Sequence, residues 1–143
     1  MLYIILNDES CHGILLDIGM PVQHRNQRFN CRILCLDGKI LMIRPKMWLA
    51  NDGNYREMRH FTPWMHPRQT EQYHLPRMMQ QVQGATHVIF GDAVISTPDT
   101  CFGAETCVSS ETQRPLDKVR ANVLQGGALY SGRTPHRHEP RRR

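Results

Sequence analysis

The chain has 143 residues, of which 40% are hydrophobic and 22% are charged, and its formal net charge is +5. This length suits one domain of ordinary size, and this composition excludes collagen-like and wholly disordered chains. The apolar run Leu2–Leu6 is far shorter than the roughly 20 residues of a membrane-spanning helix. It also lacks the flanking sequence of a signal peptide, so we expect no membrane partner.

Most of the positive charge lies at the C-terminal end. Residues 133–143 contain five Arg and one Glu, and so supply four of the five net positive charges. Such a tail attracts polyanions through charge alone, although a run of like charges is more often a solvated segment. We therefore do not expect nucleic acid as a partner. A polyanion-binding tail stays the least favoured of three hypotheses.

The cysteines indicate a reducing compartment. They are odd in number and irregularly spaced, without a CxxC pair, and the histidines are not placed to complete a zinc site. We therefore expect no metal site and reduced thiols, as in cytoplasmic proteins. Two of them fall within a predicted strand and are expected to be buried. The five are Cys11, Cys31, Cys35, Cys101 and Cys107.

The sequence pattern predicts β-strands in the first part of the chain. Gly13–Val22 predicts a buried strand that ends at its Gly and Pro residues. Phe29–Leu36 and Lys39–Arg44 are rich in β-formers and flank Asp37-Gly38, a pair that suits a two-residue type I′ turn. A hairpin is therefore predicted here. Lys46 stands just past the end of its second strand.

Helices are predicted next. Asn54 is a candidate cap for a short helix that runs to Phe61, with Glu57 three residues on reaching back to the free backbone N–H. Glu71–Gln83 also reads as helical, with a break or a start at Pro76. Its spacing predicts an apolar, core-facing side formed by Met78, Met79 and Val82.

A strand and a tight turn then lead to a cysteine. His87–Thr97 predicts a strand interrupted at Gly91-Asp92. The turn that follows bears Cys101, and a helix is predicted to begin within Ala104–Cys107. A cysteine at such an elbow has free backbone N–H groups and the positive end of a helix dipole beside it, and both favour the thiolate.

The elbow raises the question of a nucleophilic cysteine. The backbone N–H of Phe102 is placed to stabilise an oxyanion when the Cys101 thiolate attacks a carbonyl, and a nearby Lys46 adds positive charge. Spacing alone leaves the alternatives open. A cysteine after a strand is more often structural, and a lysine at a strand end is more often a surface charge.

Two long runs carry a resemblance that decides between these readings. They are DIGMPVQHRNQRFNCRILCLDGKILMIRPKMWLANDGNYREMRHFTPW (Asp17–Trp64) and FGDAVISTPDTCFGAETC (Phe90–Cys107). Both resemble the amino-terminal domain of the eukaryotic type of glutamine-dependent NAD synthetases, a domain of the nitrilase, or carbon–nitrogen hydrolase, superfamily. The resemblance implies an α/β fold: a partial nitrilase-type α-β-β-α sandwich over residues 1–107. Residues 108–143 are unmatched and are expected to form a poorly ordered basic tail.

The resemblance also implies a chemistry. The family hydrolyses the side-chain amide of glutamine with a Glu–Lys–Cys triad, whose lysine falls on Lys46 and whose nucleophile falls on Cys101. By resemblance, Cys101 forms a glutamyl thioester, while Lys46 and the Phe102 N–H stabilise the oxyanion. Tyr55 and Glu57 lie in the segment that shapes the substrate side of the pocket. Each also has a simpler interpretation, Tyr55 as packing and Glu57 as a helix cap.

Departures from the family qualify this expectation. The triad Glu lies upstream of the lysine in the family, and neither Asp8 nor Glu9 has the matching context. The ATP-dependent synthetase domain has no counterpart, so ATP, Mg and deamido-NAD are not expected to bind here, and no cofactor is expected in this chain. We therefore expect no NAD synthetase activity and little or no glutaminase activity. The alternative is a non-catalytic fragment that forms a homo-oligomer or associates with full-length synthetase subunits.

Overall fold

The computed structural model describes residues 1–104, residue 106, and the backbone of residues 120–123 and 129–132. Two short 3₁₀ turns, Glu9–Cys11 and Glu57–Arg59, lie between the longer elements. The described residues form, in chain order, α1 (Leu2–Leu6), β1 (Leu16–His24), β2 (Gln27–Leu36), β3 (Lys39–Pro45), β4 (Thr70–His74), α2 (Arg77–Gln83), β5 (His87–Gly91), β6 (Val94–Ser96), β7 (Cys101–Phe102), β8 (Arg120–Val123) and β9 (Leu129–Gly132).

The first sheet has the strand order β1-β2-β3-β5-β4. Two-residue turns join β1 to β2 and β2 to β3, and all four turn residues have positive φ: Arg25 46°, Asn26 62°, Asp37 49° and Gly38 70°. Such turns match the right-handed twist of antiparallel strands. The hairpin predicted at Asp37-Gly38 is confirmed. The one at Arg25-Asn26 was not predicted, because Asn26 is its only turn-forming residue.

The first predicted strand forms, but its predicted burial is wrong, because β1 is an edge strand in which only Val22 is buried. The strand also begins later than predicted, at Leu16, and continues further. β1 passes through Gly19 and Pro21 and keeps its antiparallel register with β2 as far as His24. Proline lacks the N–H that a central strand must donate, so it is tolerated on an edge strand such as β1. The sequence pattern alone did not place this strand at an edge.

The segment predicted as one helix is half strand. Its first part lies in β4, which pairs antiparallel with β5 from Thr70↔Gly91 to His74↔His87. Only the part after Pro76 is helical, and α2 ends at Gly84, whose φ of 69° is left-handed. Of the predicted apolar side, Met79 is buried and Val82 packs against the core. Met78 is 55% exposed, so its predicted core position is wrong.

Both faces of the first sheet are buried. On one face α1 and α2 cover a core that includes Phe29, Cys31, Cys35 and Phe90. On the other face, Leu34 and Met42 pack against a residue of the second sheet and residues of the segments on either side of its β6–β7 pair: Ala93, Ile95 and Ala104. The predicted interruption at Gly91-Asp92 is where the chain leaves the first sheet for the second, whose order is β7-β6-β8-β9.

This helix–sheet–sheet layering is the predicted partial nitrilase-type sandwich. The predicted burial of Cys31 and Cys35 is confirmed, with 1% and 0% exposure. Of the tail predicted over residues 108–143, the structure describes only β8 and β9, and the remainder lies outside the described residues. Among the helices that are described, none has the length or apolar character needed to cross a membrane.

Candidate active site

Lys46 is held at the carboxyl end of β3. Its backbone N–H donates to the carbonyl of Asn30 at 2.7 Å, and its carbonyl accepts the N–H of Trp64 at 3.1 Å. The side chain is only 7% exposed. Both neighbours fix the backbone, so the direction of the ammonium group is set by the fold rather than by solvent.

The Lys46 ammonium is paired with Glu57. Nζ of Lys46 lies 2.6 Å from Oε2 of Glu57, and the same oxygen accepts the Ala50 N–H at 2.5 Å. The other carboxylate oxygen accepts the Asn30 side-chain amide at 3.0 Å. Burial works to raise the pKa of Glu57, but these hydrogen bonds and the Lys46 charge outweigh it and lower that pKa. Glu57 is therefore a firmly ionised partner for the lysine.

The helix predicted from Asn54 to Phe61 is wrong. Only a 3₁₀ turn over Glu57–Arg59 forms, and Arg56 rather than Asn54 precedes it. The carboxylate of Glu57 does not cap this turn, because Lys46, Ala50 and Asn30 occupy it. The backbone N–H of Glu57 in turn donates to the Ala50 carbonyl at 3.0 Å, which closes the loop over residues 50–57.

Tyr55 lies on this closed loop but points outward. Its side chain is 66% exposed, and its backbone N–H donates to Asp52 at 2.9 Å. Packing is therefore excluded as the reason for this tyrosine in the described structure. Its position, two residues before Glu57, leaves the ring on the surface.

Cys101 lies on a separate hairpin in the second sheet. It pairs with Ser96, and Phe102 pairs with Ile95. The turn between the strands is closed by the Thr97 N–H, which donates to the Thr100 carbonyl at 2.8 Å. Cys101 is exposed. Within the described residues, no hydrogen bond or ion pair joins it to Lys46 or Glu57, so the structure brings together only part of the predicted site.

The strand-to-helix elbow predicted at Cys101 does not form within the described residues. Cys101 and Phe102 are extended strand residues, and neither has a positive φ. Ala104 and Thr106 are outside any helix, while Glu105 and Cys107 lie outside the described residues. The described residues therefore supply no helix dipole at Cys101. Phe102 is 36% exposed, with its backbone in the β6–β7 ladder.

Arg44, two residues before Lys46, contacts the segment before β6 and was not predicted as part of the site. It is 4% exposed, and its Nη1 lies 2.6 Å from Oδ1 of Asp92 and 2.7 Å from the carbonyl of Ala93. Asp92 and Ala93 lie immediately before β6, and Arg44 precedes Lys46 by two residues. The only sequence signal was a charged residue that directly follows the apolar run Ile40–Ile43.

Two of the other thiols, Cys31 and Cys35, are poor candidates for a nucleophile. Burial raises the pKa of both Cys31 and Cys35 to about 12, with the Asp17 charge adding to the effect at Cys35. They therefore stay protonated at neutral pH. The part of the chain that the structure describes contains no group of three or more His, Cys, Asp or Glu side chains arranged to hold a metal.

Comparison with known proteins assigns the family. A family model described as carbon-nitrogen hydrolase matches residues 5–137. The chain belongs to the carbon–nitrogen hydrolase family. The match extends past residue 107, the boundary at which the sequence analysis ended the domain.

Individual relatives carry a more specific name. The glutamine-dependent NAD(+) synthetase of Saccharomyces cerevisiae is 52% identical over 138 residues, which cover 96% of this chain and 19% of that protein. That of Bos taurus is 57% identical over 138 residues, or 92% of this chain and 20% of that protein. The chain thus spans about a fifth of the length of the curated relatives it matches.

A solved structure supports the fold assignment. The crystal structure of a glutamine-dependent NAD(+) synthetase from Cytophaga hutchinsonii superposes with a TM-score of 0.57 at 25% sequence identity. The similarity covers 70% of this chain and 15% of that one. The sandwich of the carbon–nitrogen hydrolases is therefore the fold of this chain, and the segment resembles part of the glutaminase-type domain of such synthetases.

Proposed function

We propose that this chain carries the lysine and the nucleophile of a glutaminase site, in which Lys46 and Cys101 act on the side-chain amide of glutamine. The single observation that carries the proposal is the Lys46–Glu57 pair. A buried ammonium held at 2.6 Å by a carboxylate is a fixed positive charge, in a chain of the carbon–nitrogen hydrolase family. The name of the relatives supports glutamine as the substrate.

The reaction is a nucleophilic acyl substitution. The Cys101 thiolate forms a bond to the amide carbon, and the carbonyl electron pair moves to oxygen to give a tetrahedral oxyanion. The carbon–nitrogen bond then breaks, nitrogen takes up a proton, and ammonia leaves a glutamyl thioester. Water attacks the thioester, so glutamate is released and the thiolate returns.

Lys46 is the stronger of the two proposed oxyanion stabilisers. A fixed charge on a largely buried side chain stabilises developing negative charge without reorganisation. The Phe102 N–H belongs to a strand that pairs with β6, so it is the weaker donor. Tyr55 is proposed to line the substrate side from the exposed surface of the 50–57 loop.

Glu57 is proposed to hold Lys46 rather than to act as the base. Its carboxylate accepts three hydrogen bonds, and its pKa is lowered, so it has little tendency to take a proton from a thiol. The proton of Cys101 therefore needs another base. By resemblance this is the triad Glu that precedes the lysine in the family.

The fate of the ammonia follows from the relatives' name. We propose that it serves the ATP-dependent amidation of deamido-NAD in a synthetase domain, the ligase portion of such enzymes, and that this chain binds neither nucleotide. A cytoplasmic location is proposed because the four described cysteines, Cys11, Cys31, Cys35 and Cys101, are all free thiols.

A second candidate is association with another synthetase subunit or a second copy. Its support is that β1 and β4 are edge strands of the described first sheet, and open edges pair readily with other strands. Co-purification of the tagged chain with a full-length synthetase tests it. Recovery of the chain alone, as a monomer, would contradict it.

Covalent labelling tests the glutaminase proposal. The probe is a glutamine analogue whose amide nitrogen is replaced by a chloromethyl group, so that the thiolate displaces chloride and forms a stable carbon–sulfur bond. In a Cys11→Ser/Cys107→Ser background we expect one adduct, on Cys101, that free glutamine suppresses. Lys46→Met should slow its formation. A labelling rate that neither free glutamine nor Lys46→Met lowers would contradict the proposal.

A further inference from the structure

Arg44 is a charged residue in an otherwise apolar interior. Among the residues whose burial is described, it is the only charged residue that is buried as a whole, with 4% exposure. Its Nη1 contacts Asp92 Oδ1 at 2.6 Å and the Ala93 carbonyl at 2.7 Å. A buried ion pair of this kind is often no more stabilising than well-packed apolar side chains, because both charges lose their hydration. Stability therefore does not explain why an arginine stands here.

The placement of the pair suggests another reason. Arg44 lies in β3, two residues before Lys46, so the two share a strand end in the first sheet. Asp92 and Ala93 form the crossing from β5 to β6, and β6 pairs with the strand that carries Cys101. The pair therefore bridges the strand that ends at the lysine and the strand that positions the cysteine.

Asp92 is also held by two hydrogen bonds to the segment just before β4. Its other carboxylate oxygen accepts the Arg68 backbone N–H at 2.8 Å, and its own N–H donates to the Gln69 carbonyl at 3.0 Å. Asp92 is thus also held by contacts that do not involve Arg44. A guanidinium group binds a carboxylate and a carbonyl in a defined direction, which an apolar contact does not do.

We propose that the Arg44–Asp92 bridge is a positioning device that sets the second sheet, and with it Cys101, relative to Lys46. Arg44 and Asp92 are positioning residues and do not touch the substrate. This inference rests on the glutaminase proposal, because it assigns to the bridge the alignment of that proposal's two reacting groups. A displacement of about 1 Å between such groups costs up to about a hundredfold in rate.

The test compares two electrophiles on the full 143-residue chain. One is the chloromethyl ketone analogue of glutamine. The other is chloroacetone, which has the same reacting group without the amino-acid portion. The ratio of their labelling rates at Cys101 reports alignment with the glutamine site, whereas the chloroacetone rate alone reports the exposure and intrinsic reactivity of the thiol.

The key variant is Arg44→Met/Asp92→Leu, which replaces the ion pair with apolar side chains. We expect the variant to fold with a modestly lower urea unfolding midpoint, because the Arg68 N–H and the Ala93 carbonyl each lose a hydrogen bond, while the rate ratio falls about tenfold or more. Arg44→Lys keeps the positive charge but lacks the planar guanidinium group that binds in a defined direction. Its ratio should lie between those of the wild type and the double variant. Arg32→Met, at an ion pair with Asp17 on the β1–β2 ladder, is the matched control and should leave the ratio unchanged.

The outcomes separate this inference from the proposal beneath it. If the wild-type chain shows no preference for the glutamine analogue, the glutaminase proposal fails. If the wild type shows the preference and the folded double variant retains it in full, the positioning role is wrong. If the double variant fails to fold, the Arg44→Lys ratio decides, and a wild-type value there overturns the inference.

Discussion

Lys46 and Glu57, eleven residues apart in the chain, form a mostly buried ion pair with 2.6 Å between Nζ and Oε2. The lysine follows β3 and the glutamate opens a 3₁₀ turn, so neither element alone determines the contact. The glutamate also binds Ala50 and Asn30. One carboxylate therefore fixes both the ammonium group and the loop that closes over residues 50–57.

The first prediction concerns the stability that this pair provides. Glu57→Leu leaves the Lys46 ammonium buried without its partner, so we expect a loss of about 3 kcal/mol in the free energy of unfolding. Lys46→Met/Glu57→Leu removes both charges and should lose only about 1–2 kcal/mol, from the Ala50 and Asn30 donors left unpaired. Urea denaturation measures both. Equal losses in the two variants would show that the unpaired Lys46 ammonium carries no penalty, and would contradict this prediction.

The second prediction concerns acid. The pKa of Glu57 is lowered in the folded chain from an ordinary value of 4.5, so its ionisation stabilises the fold above that pH. The contribution disappears as the pH falls through the lower folded-state pKa. The stability difference between the wild type and Glu57→Gln should therefore be constant at neutral pH and shrink below about pH 4.5. A stability difference that grows as the pH falls would contradict the lowered pKa of Glu57.

The third prediction concerns thiol accessibility. Cys31 and Cys35 are buried and have pKa values raised to about 12, whereas Cys101 is exposed and Cys11 is partly exposed. In a Cys107→Ser background at pH 8, two thiols should react rapidly with a disulfide reagent, and two should react only in denaturant. Peptide mapping identifies them. Rapid native reaction at Cys31 or Cys35 would contradict the described core.

The fourth prediction concerns a close approach of two strands. Gly91 has φ of 140°, and a Cβ there would lie 2.4 Å from the Gln69 carbonyl oxygen. Gly91→Ala should therefore destabilise the chain by about 2–3 kcal/mol. Gly19→Ala is the control, because nothing lies within 4 Å of a Cβ at that exposed position. We expect a change there within about 0.5 kcal/mol, and similar losses at both positions would contradict the contact.

Local chemistry explains which elements were predictable. Asp37-Gly38 specifies its own turn, so the β2–β3 hairpin follows from the sequence. The break at Gly91-Asp92 is also visible locally. The segment Glu71–His74 is polar and short, and only its pairing with β5 makes it a strand rather than the start of α2. Pairing across the sheet has no signature within four residues.

The site residues likewise divide into those that the sequence indicates and those that only tertiary contacts reveal. Lys46 and Cys101 were found through resemblance, and the residues that surround them follow from tertiary contacts. The sequence indicates a helix cap as one role of Glu57, because a Glu three residues after Asn54 fits the capping-box pattern. Its contact with Lys46 forms only once β3 and the 50–57 loop are in place. The sequence did not indicate the role of Arg44, since the Asp92 that it contacts lies 48 positions away.

The most direct test of the glutaminase proposal uses the Saccharomyces cerevisiae relative with residues 17–104 of this chain in place of its own aligned segment. NAD formation is measured with glutamine and, separately, with ammonium as the nitrogen source. We expect Cys101→Ser and Lys46→Met to lower the glutamine-dependent rate by at least about a hundredfold and to leave the ammonium-dependent rate unchanged. The retained ammonium rate shows that the rest of the enzyme is folded. Glutamine-dependent synthesis that survives both substitutions would contradict the proposal.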